Sequence, residues 1–516
     1  MLVKAYAAAI HGVNANIITI EVNCSKGIKF FLVGLPDVSI KESHERITSA
    51  LTVNGYKFPR NQIVVNVAPA DVRKEGAAYD LPLAIGILAG AEKIKSEKIG
   101  DYLIMGELSL DGSLKAVKGV LPIAIKAKES GFKGLILPMS NTREAAVVSG
   151  LEVYGAENIV DVIQFFNDEK KLEQVIIDPK HEFFNNQSRM EWDFSEVKGQ
   201  EQVKRAIEVA CAGGHNIILV GSPGAGKSML AKRIPSILPP LTINESLETT
   251  KIHSVAGKIN HNGSLIALRP FRSPHHTISM VAMVGGGSYP QPGEISLAHN
   301  GVLFLDEIAE FGRNVLEVLR QPLEDRKITI SRAKSSVEYP AGFMLVASMN
   351  PCPCGNYNNP HKACVCVSAQ VQKYLNRISG PLMDRIDIQV EIVPVPFEDI
   401  SDIRPAESSE SIRNRVIKAR QIQEERFAEE EGIYCNAQMH TRLLHKHAQP
   451  NQAGLMKLKD AMERLSLSAR AYDRILRVSR TIADLEESEK IEVSHIAEAI
   501  SYRNLDRENW AGSDYI

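Results

Sequence analysis

A glycine-rich segment near the middle of the chain has the residue types that bind phosphate groups. Directly after the apolar run 217–220, the pattern G-x-x-x-x-G-K-S/T is matched by Gly221, Ser222, Pro223, Gly224, Ala225, Gly226, Lys227 and Ser228. Glycines let backbone N–H groups turn towards phosphate oxygens, Lys227 would neutralise the β and γ phosphates, and Ser228 would hold Mg²⁺ at a helix N-terminus. The order of strand, loop and helix favours a nucleoside triphosphate site over a chance glycine turn.

Two acidic residues follow a second apolar run. The segment GVLFLDE at 301–307 ends in Asp306 and Glu307, and the residues before them indicate a buried strand. Asp306 would organise the Mg²⁺ shell, and Glu307 would orient or deprotonate the water that attacks the γ-phosphate. An ordinary solvated strand end is the alternative, and the phosphate-binding pattern upstream argues against it.

A third apolar run, 342–348, leads to Asn350. Its amide would lie where it could hydrogen-bond the attacking water, so Asn350 is a candidate sensor of the γ-phosphate. A simple turn residue is the alternative, since asparagine is common at strand ends. Arg385 and Arg470 could complete the charge balance of such a site, but each could instead pair with a neighbouring aspartate.

Four cysteines form a cluster just after Asn350. Cys352, Cys354, Cys364 and Cys366 are enough for one tetrahedral Zn²⁺. Their spacing is C-x-C twice, which is less typical of zinc sites than C-x-x-C twice, and reduced structural thiols remain the alternative. Because the cluster starts two residues after Asn350, loss of a metal would disturb the sensor as well as the fold.

These residues need a scaffold, and the pattern along the chain predicts four regions. Residues 1–166 alternate apolar strands with helical stretches, which indicates a self-contained α/β unit, and the charged, Asn-rich residues 167–195 suit a linker. Residues 196–396 indicate helices packed around a mostly parallel sheet. Residues 397–516 are almost wholly helical and predict a small helical lid.

The bulk composition limits the class of protein. With 516 residues the chain is long enough for roughly two to four domains. A net charge of −2 predicts no partner, so any contact with nucleic acid must come from local basic clusters. The N-terminus has no signal-peptide pattern, and no run approaches the roughly 20 apolar residues that cross a bilayer. Seven cysteines without an export signal favour reduced thiols. We therefore expect a cytoplasmic protein without a membrane partner.

Longer blocks of sequence point to a known family. They are RPFRSPHHTIS (269–279), PGEISLAHNGVLFLDE (292–307), NPCPCG (350–355), SGPLMDRIDI (379–388) and LSARAYDRILRVSRTIADL (467–485). With these blocks the chain resembles the ComM/YifB family of magnesium-chelatase-like AAA+ ATPases over essentially its whole length. The resemblance implies an AAA+ P-loop core at 196–396 with a helical lid, and ATP and Mg²⁺ as cofactors.

The resemblance also assigns the two arginines. It implies that Arg385 is the arginine finger, which acts on ATP held by the next subunit, and that Arg470 is the second sensor. A finger is worth roughly 10³ to 10⁵ in rate in other NTPases, so a lone monomer should hydrolyse ATP poorly. We therefore expect the chain to form a homo-oligomeric ring, specifically a hexamer.

The family is similar to replicative MCM helicases in having two extra elements in the AAA+ core. The flexible residues 280–287 are a candidate for the first, a helix-2 insert. The alternating residues 328–339 predict a β-hairpin as the second, with Arg332 and Lys334 near its tip. In a central pore these two side chains would contact DNA phosphates. A solvated hairpin with no partner is the alternative.

The N-terminal unit is similar to the Lon-protease fold, a relative of ribosomal protein S5 domain 2, at residues 74–80 and 105–112. Active Lon-type proteases use a serine in the first stretch and a lysine on a later helix. Ala78 falls at the serine position, and the lysine position near Leu121 is apolar, so a Ser-Lys mechanism has neither nucleophile nor base. We predict no peptidase activity, and a role in ring scaffolding or as a surface that faces DNA.

The function that the resemblance implies is ATP-driven movement on DNA. It suggests a branch-migration helicase that supports recombination of imported DNA during natural transformation. The alternative is a chelatase-type or remodelling ATPase that acts on a protein partner. Stimulation of ATP hydrolysis by DNA would distinguish the two.

Overall fold

The computed structural model describes most of the chain. The described residues are 1–34, 37–72, 74, 76–187, 190–259, 263–287, 290–332, 335–357, 359, 362–395, 405–465 and 467–503. No helix within these ranges combines the length and apolar character that a bilayer crossing requires.

The N-terminal region is a mixed α/β unit. Its strands are β1 (Leu2–His11), β2 (Asn14–Ser25), β3 (Phe30–Val33), β4 (Gln62–Ala68), β5 (Tyr102–Ile104), β6 (Glu107–Leu108), β7 (Leu114–Lys115), β8 (Gly134–Pro138) and β9 (Glu152–Ala156). Its helices are α1 (Val38–Lys41), α2 (Ser43–Val53), α3 (Asp80–Gly90), α4 (Val120–Glu129), α5 (Thr142–Ala145) and α6 (Ile159–Phe166).

A seven-stranded sheet forms the centre of this unit, in the order β3-β4-β2-β1-β5-β8-β9. β1 and β2 pair antiparallel from Leu2 opposite Asn23 to His11 opposite Asn14. Alternate side chains of β2 are buried, as expected of a strand with one face on the core. Every residue of α3 is buried, because this apolar helix packs against β1 and β2.

The linker region contains helix α7 (Pro179–Gln187). Phe183 of this helix is buried against Leu241 and Ala267 of the following region. Glu182 accepts hydrogen bonds from Arg143 Nη2 at 2.6 Å and from Ser264 Oγ at 2.7 Å. The helix therefore joins the N-terminal unit to the next region through both apolar and polar contacts.

The central region is a second α/β unit. Its strands are β10 (Ile217–Gly221), β11 (Phe271–Arg272), β12 (Gly285–Gly286), β13 (Gln291–Pro292), β14 (Val302–Leu305), β15 (Lys327–Arg332), β16 (Ser335–Pro340), β17 (Met344–Met349) and β18 (Ile388–Ile392). Its helices are α8 (Glu201–Gly213), α9 (Lys227–Ile237), α10 (Ile243–Val255), α11 (Met280–Val284), α12 (Glu294–Leu297), α13 (Arg313–Glu317), α14 (Arg320–Asp325), α15 (Ser368–Leu375) and α16 (Gly380–Met383).

Five of these strands form a parallel sheet in the order β11-β14-β17-β10-β18. Every residue of β10, β14 and β17 is buried, which explains why each reads as a continuous apolar run. We call the edge where these strands end, at Gly221, Leu305 and Met349, the carboxyl edge, and the opposite edge the amino edge. The predicted α/β architecture with a mostly parallel sheet is confirmed.

The C-terminal region is helical, as predicted. Its helices are α17 (Ser409–Arg426), α18 (Thr441–His447), α19 (Gln452–Leu465), α20 (Ala469–Leu485) and α21 (Val493–Ser501). Val416, Ile475 and Ile496 of these helices share one apolar core with Ile207 of α8 and Ile234 of α9. The C-terminal helices are thus packed directly on the helices that flank the phosphate-binding turn.

The predicted hairpin is present as the antiparallel pair β15 and β16, with Lys327 opposite Pro340 at its base. The turn between β1 and β2 touches it, since a Cβ built on Gly12 would lie 3.1 Å from the Val337 side chain. Val13 of the same turn packs into the apolar cluster that contains Val337. The N-terminal unit therefore supports one side of the hairpin.

Candidate nucleotide site

The glycine-rich pattern forms the turn between β10 and α9, at the carboxyl edge of the sheet. Gly224 and Gly226 have φ angles of +80° and +89°, a conformation that glycine adopts without steric cost. α9 begins at Lys227, so the first N–H groups of this helix face the turn. The residues from Gly221 to Ser228 thus place a glycine turn directly before a helix N-terminus, an arrangement that suits an anion.

Lys227 is buried within this turn. Its ammonium donates to the carbonyl oxygens of Gly221 at 2.6 Å and Ser222 at 3.0 Å, and to Asn350 Oδ1 at 3.1 Å. Burial lowers the pKa of Lys227, while Asp306 and Glu307 act in the opposite direction. An ammonium that is held mainly by neutral oxygens can exchange them for an anion, which supplies the charge that burial otherwise leaves uncompensated.

Asp306 and Glu307 follow β14 and lie beside the turn. Ser228 Oγ donates to Asp306 Oδ2 at 2.7 Å, and Ser348 Oγ donates to the other carboxylate oxygen. The Glu307 N–H donates to Ser348 Oγ at 3.2 Å. Glu307 has a φ of +52°, a left-handed conformation that costs roughly 1–2 kcal/mol for such a residue. Strain of this kind is found at catalytic positions.

Asn350 completes the group at the carboxyl edge. Its side chain accepts the hydrogen bond from Lys227, and Met349, the residue before it, packs in one apolar cluster with Tyr374. The structure thus brings Lys227, Ser228, Asp306 and Asn350 into one hydrogen-bonded cluster around the turn, with Glu307 adjacent.

Arg385 and Arg470 are not part of this cluster. Asn216, which directly precedes β10, donates from Nδ2 to the Arg385 carbonyl at 2.8 Å, so Arg385 lies at the amino edge. The length of β10 then separates it from the glycine-rich turn by about 16 Å. Arg385 pairs with Glu324, and Arg470 Nη1 lies 2.8 Å from Asp384 Oδ2. Both arginines are therefore on one surface, opposite the turn.

The four clustered cysteines come together in space. Their sulfur atoms all lie within 4.8 Å of one another, with Cys352 3.4 Å from Cys354 and 3.7 Å from Cys364. The Val365 N–H lowers the pKa of the Cys354 thiol to about 6, and burial raises the pKa of the Cys364 thiol to about 12. Four thiols in such a group form a candidate metal centre.

The cysteine segment rests on the glycine-rich turn. A Cβ built on Gly355 would lie 2.5 Å from Pro223 Cδ, so only glycine permits this approach. Asn359 Nδ2 donates to Ser222 Oγ at 3.2 Å. The shape of the cysteine segment therefore helps to set the shape of the turn.

The two predicted DNA contacts, Arg332 and Lys334, precede Ser335, the first residue of β16, in the sequence. The backbone of Arg332 forms the last residue of β15. The Arg332 side chain and the whole of Lys334 lie outside the described residues.

Comparisons with known proteins agree with this arrangement. Residues 193–400 match the family model described as magnesium chelatase, subunit ChlI, residues 406–503 match the model for the C-terminal part of that subunit, and residues 20–141 match a further ChlI model. The competence protein ComM of Haemophilus influenzae is 43% identical over 98% of both chains. The YifB protein of Escherichia coli is 42% identical over 96% of both chains.

The chain belongs to the ComM/YifB family. It carries the magnesium-chelatase-like AAA+ module of that family in its central and C-terminal regions. A shorter match, 29% identical over 28% of this chain and 27% of the other, is to Lon protease 2 of Bacillus subtilis. The similarity to Lon proteases is therefore partial.

Ala78 and Leu121, which the resemblance to Lon proteases singles out in the N-terminal unit, both have apolar side chains. Ala78 is partly buried, with its carbonyl accepting from the Gly106 N–H at 2.9 Å. Leu121 is fully buried in the first turn of α4. Its N–H donates to Glu144 Oε1 at 2.9 Å, and Ser254 of α10 donates to the same carboxylate. This helix end thus forms a joint between the N-terminal unit and the AAA+ module.

Sequence reasoning missed two polar residues of the nucleotide site. Ser348 ends an apolar run that was interpreted only as a strand, although a serine among buried aliphatic residues is a signal of a specific contact. Asn359 lies in the stretch between the two pairs of clustered cysteines. Nothing in its local sequence points to Ser222, because that contact depends on the path of a long loop.

Proposed function

We propose that the protein hydrolyses ATP as a cytoplasmic homo-hexameric ring and that this ring moves on DNA. The observation that carries the proposal is the separation of the ATPase residues between the two edges of one sheet. The phosphate-binding turn, Asp306, Glu307 and Asn350 lie at the carboxyl edge, whereas Arg385 and Arg470 lie at the amino edge. A complete site then needs two copies of the chain.

The donor set at the carboxyl edge fits a magnesium nucleotide. Lys227 is a buried cation without an anionic hydrogen-bond partner among the described residues, and Ser228 and Asp306 present two oxygens 2.7 Å apart. When bound, ATP would supply the phosphoryl group, and Mg²⁺ would offset the negative charge on the phosphate oxygens. Lys227 and the turn would bind the phosphates, Ser228 and Asp306 would hold the metal, and Glu307 would take the proton of the attacking water.

The amino edge supplies the missing cations to a neighbour. In a head-to-tail ring the amino edge of one protomer faces the carboxyl edge of the next. Arg385 then acts as the finger on the neighbour's nucleotide, and Arg470, which lies on the same surface, acts beside it. Their present partners, Glu324 and Asp384, hold both guanidinium groups until that contact forms.

DNA is the proposed substrate of the motion. The β15–β16 hairpin lies in the chain between β14 and β17, the two strands that lead to Asp306 and Asn350, so a change at the nucleotide can move it. Arg332 and Lys334 at its end are the proposed phosphate contacts. The relative from Haemophilus influenzae is named a competence protein, and we extend this role to branch migration on imported DNA in natural transformation.

Stimulation of ATP hydrolysis by single-stranded DNA tests the proposal. We expect the double change Arg332→Ala and Lys334→Ala to abolish stimulation while basal turnover remains. Lys327→Ala is the matched control, because Lys327 lies at the base of the same hairpin and pairs with Glu338 at 3.1 Å. Absence of DNA binding at low salt would instead favour the second candidate, a remodelling ATPase that acts on a protein, which the magnesium chelatase matches support.

We also propose a structural Zn²⁺ at the four cysteines. Zn–S bonds of about 2.3 Å in a tetrahedron place sulfur atoms about 3.8 Å apart, and the Sγ distances of 3.4, 3.7 and 3.6 Å are close to this value. A zinc centre here would fix the segment that contacts Pro223 and Ser222. Metal analysis of the purified protein tests it, and no more than a trace of zinc with four freely titratable thiols would exclude it.

A further inference from the structure

A cavity of about 850 Å³ opens beside the nucleotide site, between the residues that follow Glu307 and helix α15. Four charged side chains line it, from Glu310, Arg313, Lys373 and Arg377. Arg377 Nη1 pairs with Glu310 at 2.8 Å. Arg313 and Lys373 are exposed, and neither makes an ion pair with any residue that the structure describes. The cavity therefore has a surplus of positive charge.

The cavity is linked to both sides of the nucleotide site. Arg377 Nη1 donates to the Ala309 carbonyl at 3.2 Å, two residues after Glu307. Its guanidinium lies 5.7 Å from the centre of the Tyr374 ring, and Tyr374 packs in the same apolar cluster as Met349, the residue before Asn350. An anion in the cavity would therefore act on the segments that carry Glu307 and Asn350.

The amino edge carries an exposed acidic side chain, whose charge is opposite to that of the cavity. Glu324, at the end of α14, is 61% exposed and pairs with Arg385. Arg385 Nε is buried without a hydrogen-bond partner among the described residues. Because the pair with Glu324 leaves this nitrogen without a hydrogen bond, Arg385 is suited to exchange Glu324 for another partner. When Arg385 moves to a neighbour's nucleotide, Glu324 loses its partner at the same interface.

We propose that Glu324 of one protomer enters the cavity of the next and pairs there with Lys373 and Arg313. The proposal rests on the ring proposed above and names a second contact within its interface. The internal pair Glu324–Arg385 is then the resting arrangement of a free chain. Assembly replaces it by two contacts between chains, with Arg385 at the nucleotide and Glu324 in the cavity.

Charge-reversal variants test this contact by its effect on ring assembly. The measured quantity is the protein concentration at which ring formation is half-maximal, with magnesium and a slowly hydrolysed ATP analogue present. We expect Lys373→Glu and Glu324→Lys each to raise this concentration by at least about tenfold, because like charges meet across the interface. Lys457→Glu, an exposed lysine on α19, is the matched control and should have no effect.

Mixing the two variants gives the decisive measurement. In an alternating ring of Lys373→Glu and Glu324→Lys chains, every interface again joins opposite charges, so an equimolar mixture should assemble within about threefold of the wild type. Failure of the mixture to assemble, or normal assembly of Lys373→Glu alone, overturns the inference. If Lys373→Glu assembles normally but loses stimulation by single-stranded DNA, the cavity binds a DNA strand instead. If the wild type forms no ring with the analogue, the proposed function fails together with this contact.

Discussion

The two α/β units each contain a helix that starts after a glycine with positive φ, and the two helix ends differ in what faces them. Gly226 precedes α9 with a φ of +89°, and Gly119 precedes α4 with a φ of +72°. At α9 the first N–H groups face an open turn with a buried lysine. At α4 the Leu121 N–H donates to the Glu144 carboxylate of the same unit.

A helix N-terminus offers unpaired N–H donors wherever it lies, and the difference is whether the protein supplies an acceptor for them itself. The end of α4 has an internal carboxylate, which Ser254 of the AAA+ module also contacts, so it serves as a joint. Among the described residues no carboxylate accepts from the first backbone N–H groups of α9, so these donors are available to a phosphate. Changes at α9 should therefore affect chemistry with little effect on stability, and changes at α4 should do the reverse.

The largest effect is expected for Lys227→Ala. It removes the buried cation of the turn, so we expect nucleotide binding to fall below detection and turnover to be lost. Glu307→Gln is the matched comparison, because it should bind ATP, assemble and stall with turnover at least about 10²-fold lower. Binding of a fluorescent nucleotide and phosphate release measure the two steps. Normal turnover of Glu307→Gln would remove this residue from its proposed role.

The second-largest effect is expected for Arg385, which lies at the amino edge, away from α9. Arg385→Ala should bind nucleotide and assemble. Its turnover should fall by at least roughly 10³-fold, because the lost cation stabilises charge in the transition state. Mixing it with Lys227→Ala should restore part of the activity, because a Lys227→Ala chain still offers its own finger to a neighbour that binds ATP. A mixture no more active than its components would show that the finger does not act between chains.

These two helix ends also show what the sequence could predict. The turn before α9, the acidic pair and the strands before them follow from local spacing, because each functional residue lies next to the strand that positions it. The resemblance assigned the roles of Arg385 and Arg470, whose place at the amino edge no local pattern indicated. The contacts of Glu144 with Ser254 and of Asn359 with Ser222 join residues that are 110 and 137 positions apart, so only the folded chain reveals them.

A smaller effect is expected at the cysteine segment, which touches the turn before α9 from outside. Cys364→Ser should lower bound zinc to a trace and reduce turnover by about threefold to tenfold, because a loosened segment no longer holds Gly355 and Asn359 against the turn. Cys24→Ala, a buried thiol in the N-terminal sheet, is the control and should change neither quantity. Unchanged turnover after complete loss of zinc would separate the metal from the nucleotide site.

The smallest effect is expected at α4, and its sign depends on pH. Burial raises the pKa of Glu144 above the value of 4.5 that an exposed glutamate has. The stability that comes from its protonated form is therefore present below that pH and is lost as the pH rises through the folded-state pKa.

Glu144→Gln keeps an acceptor for the Leu121 N–H and carries no charge at any pH. We expect its melting temperature to equal or exceed that of the wild type by about 1 to 3 °C near neutral pH, and the difference to shrink towards about pH 5. Glu144→Ala removes the acceptor and should melt below the wild type at both pH values. If Glu144→Gln also melts well below the wild type at neutral pH, the joint depends on a charged carboxylate at the helix end, and α4 would resemble α9 in its need for an anion.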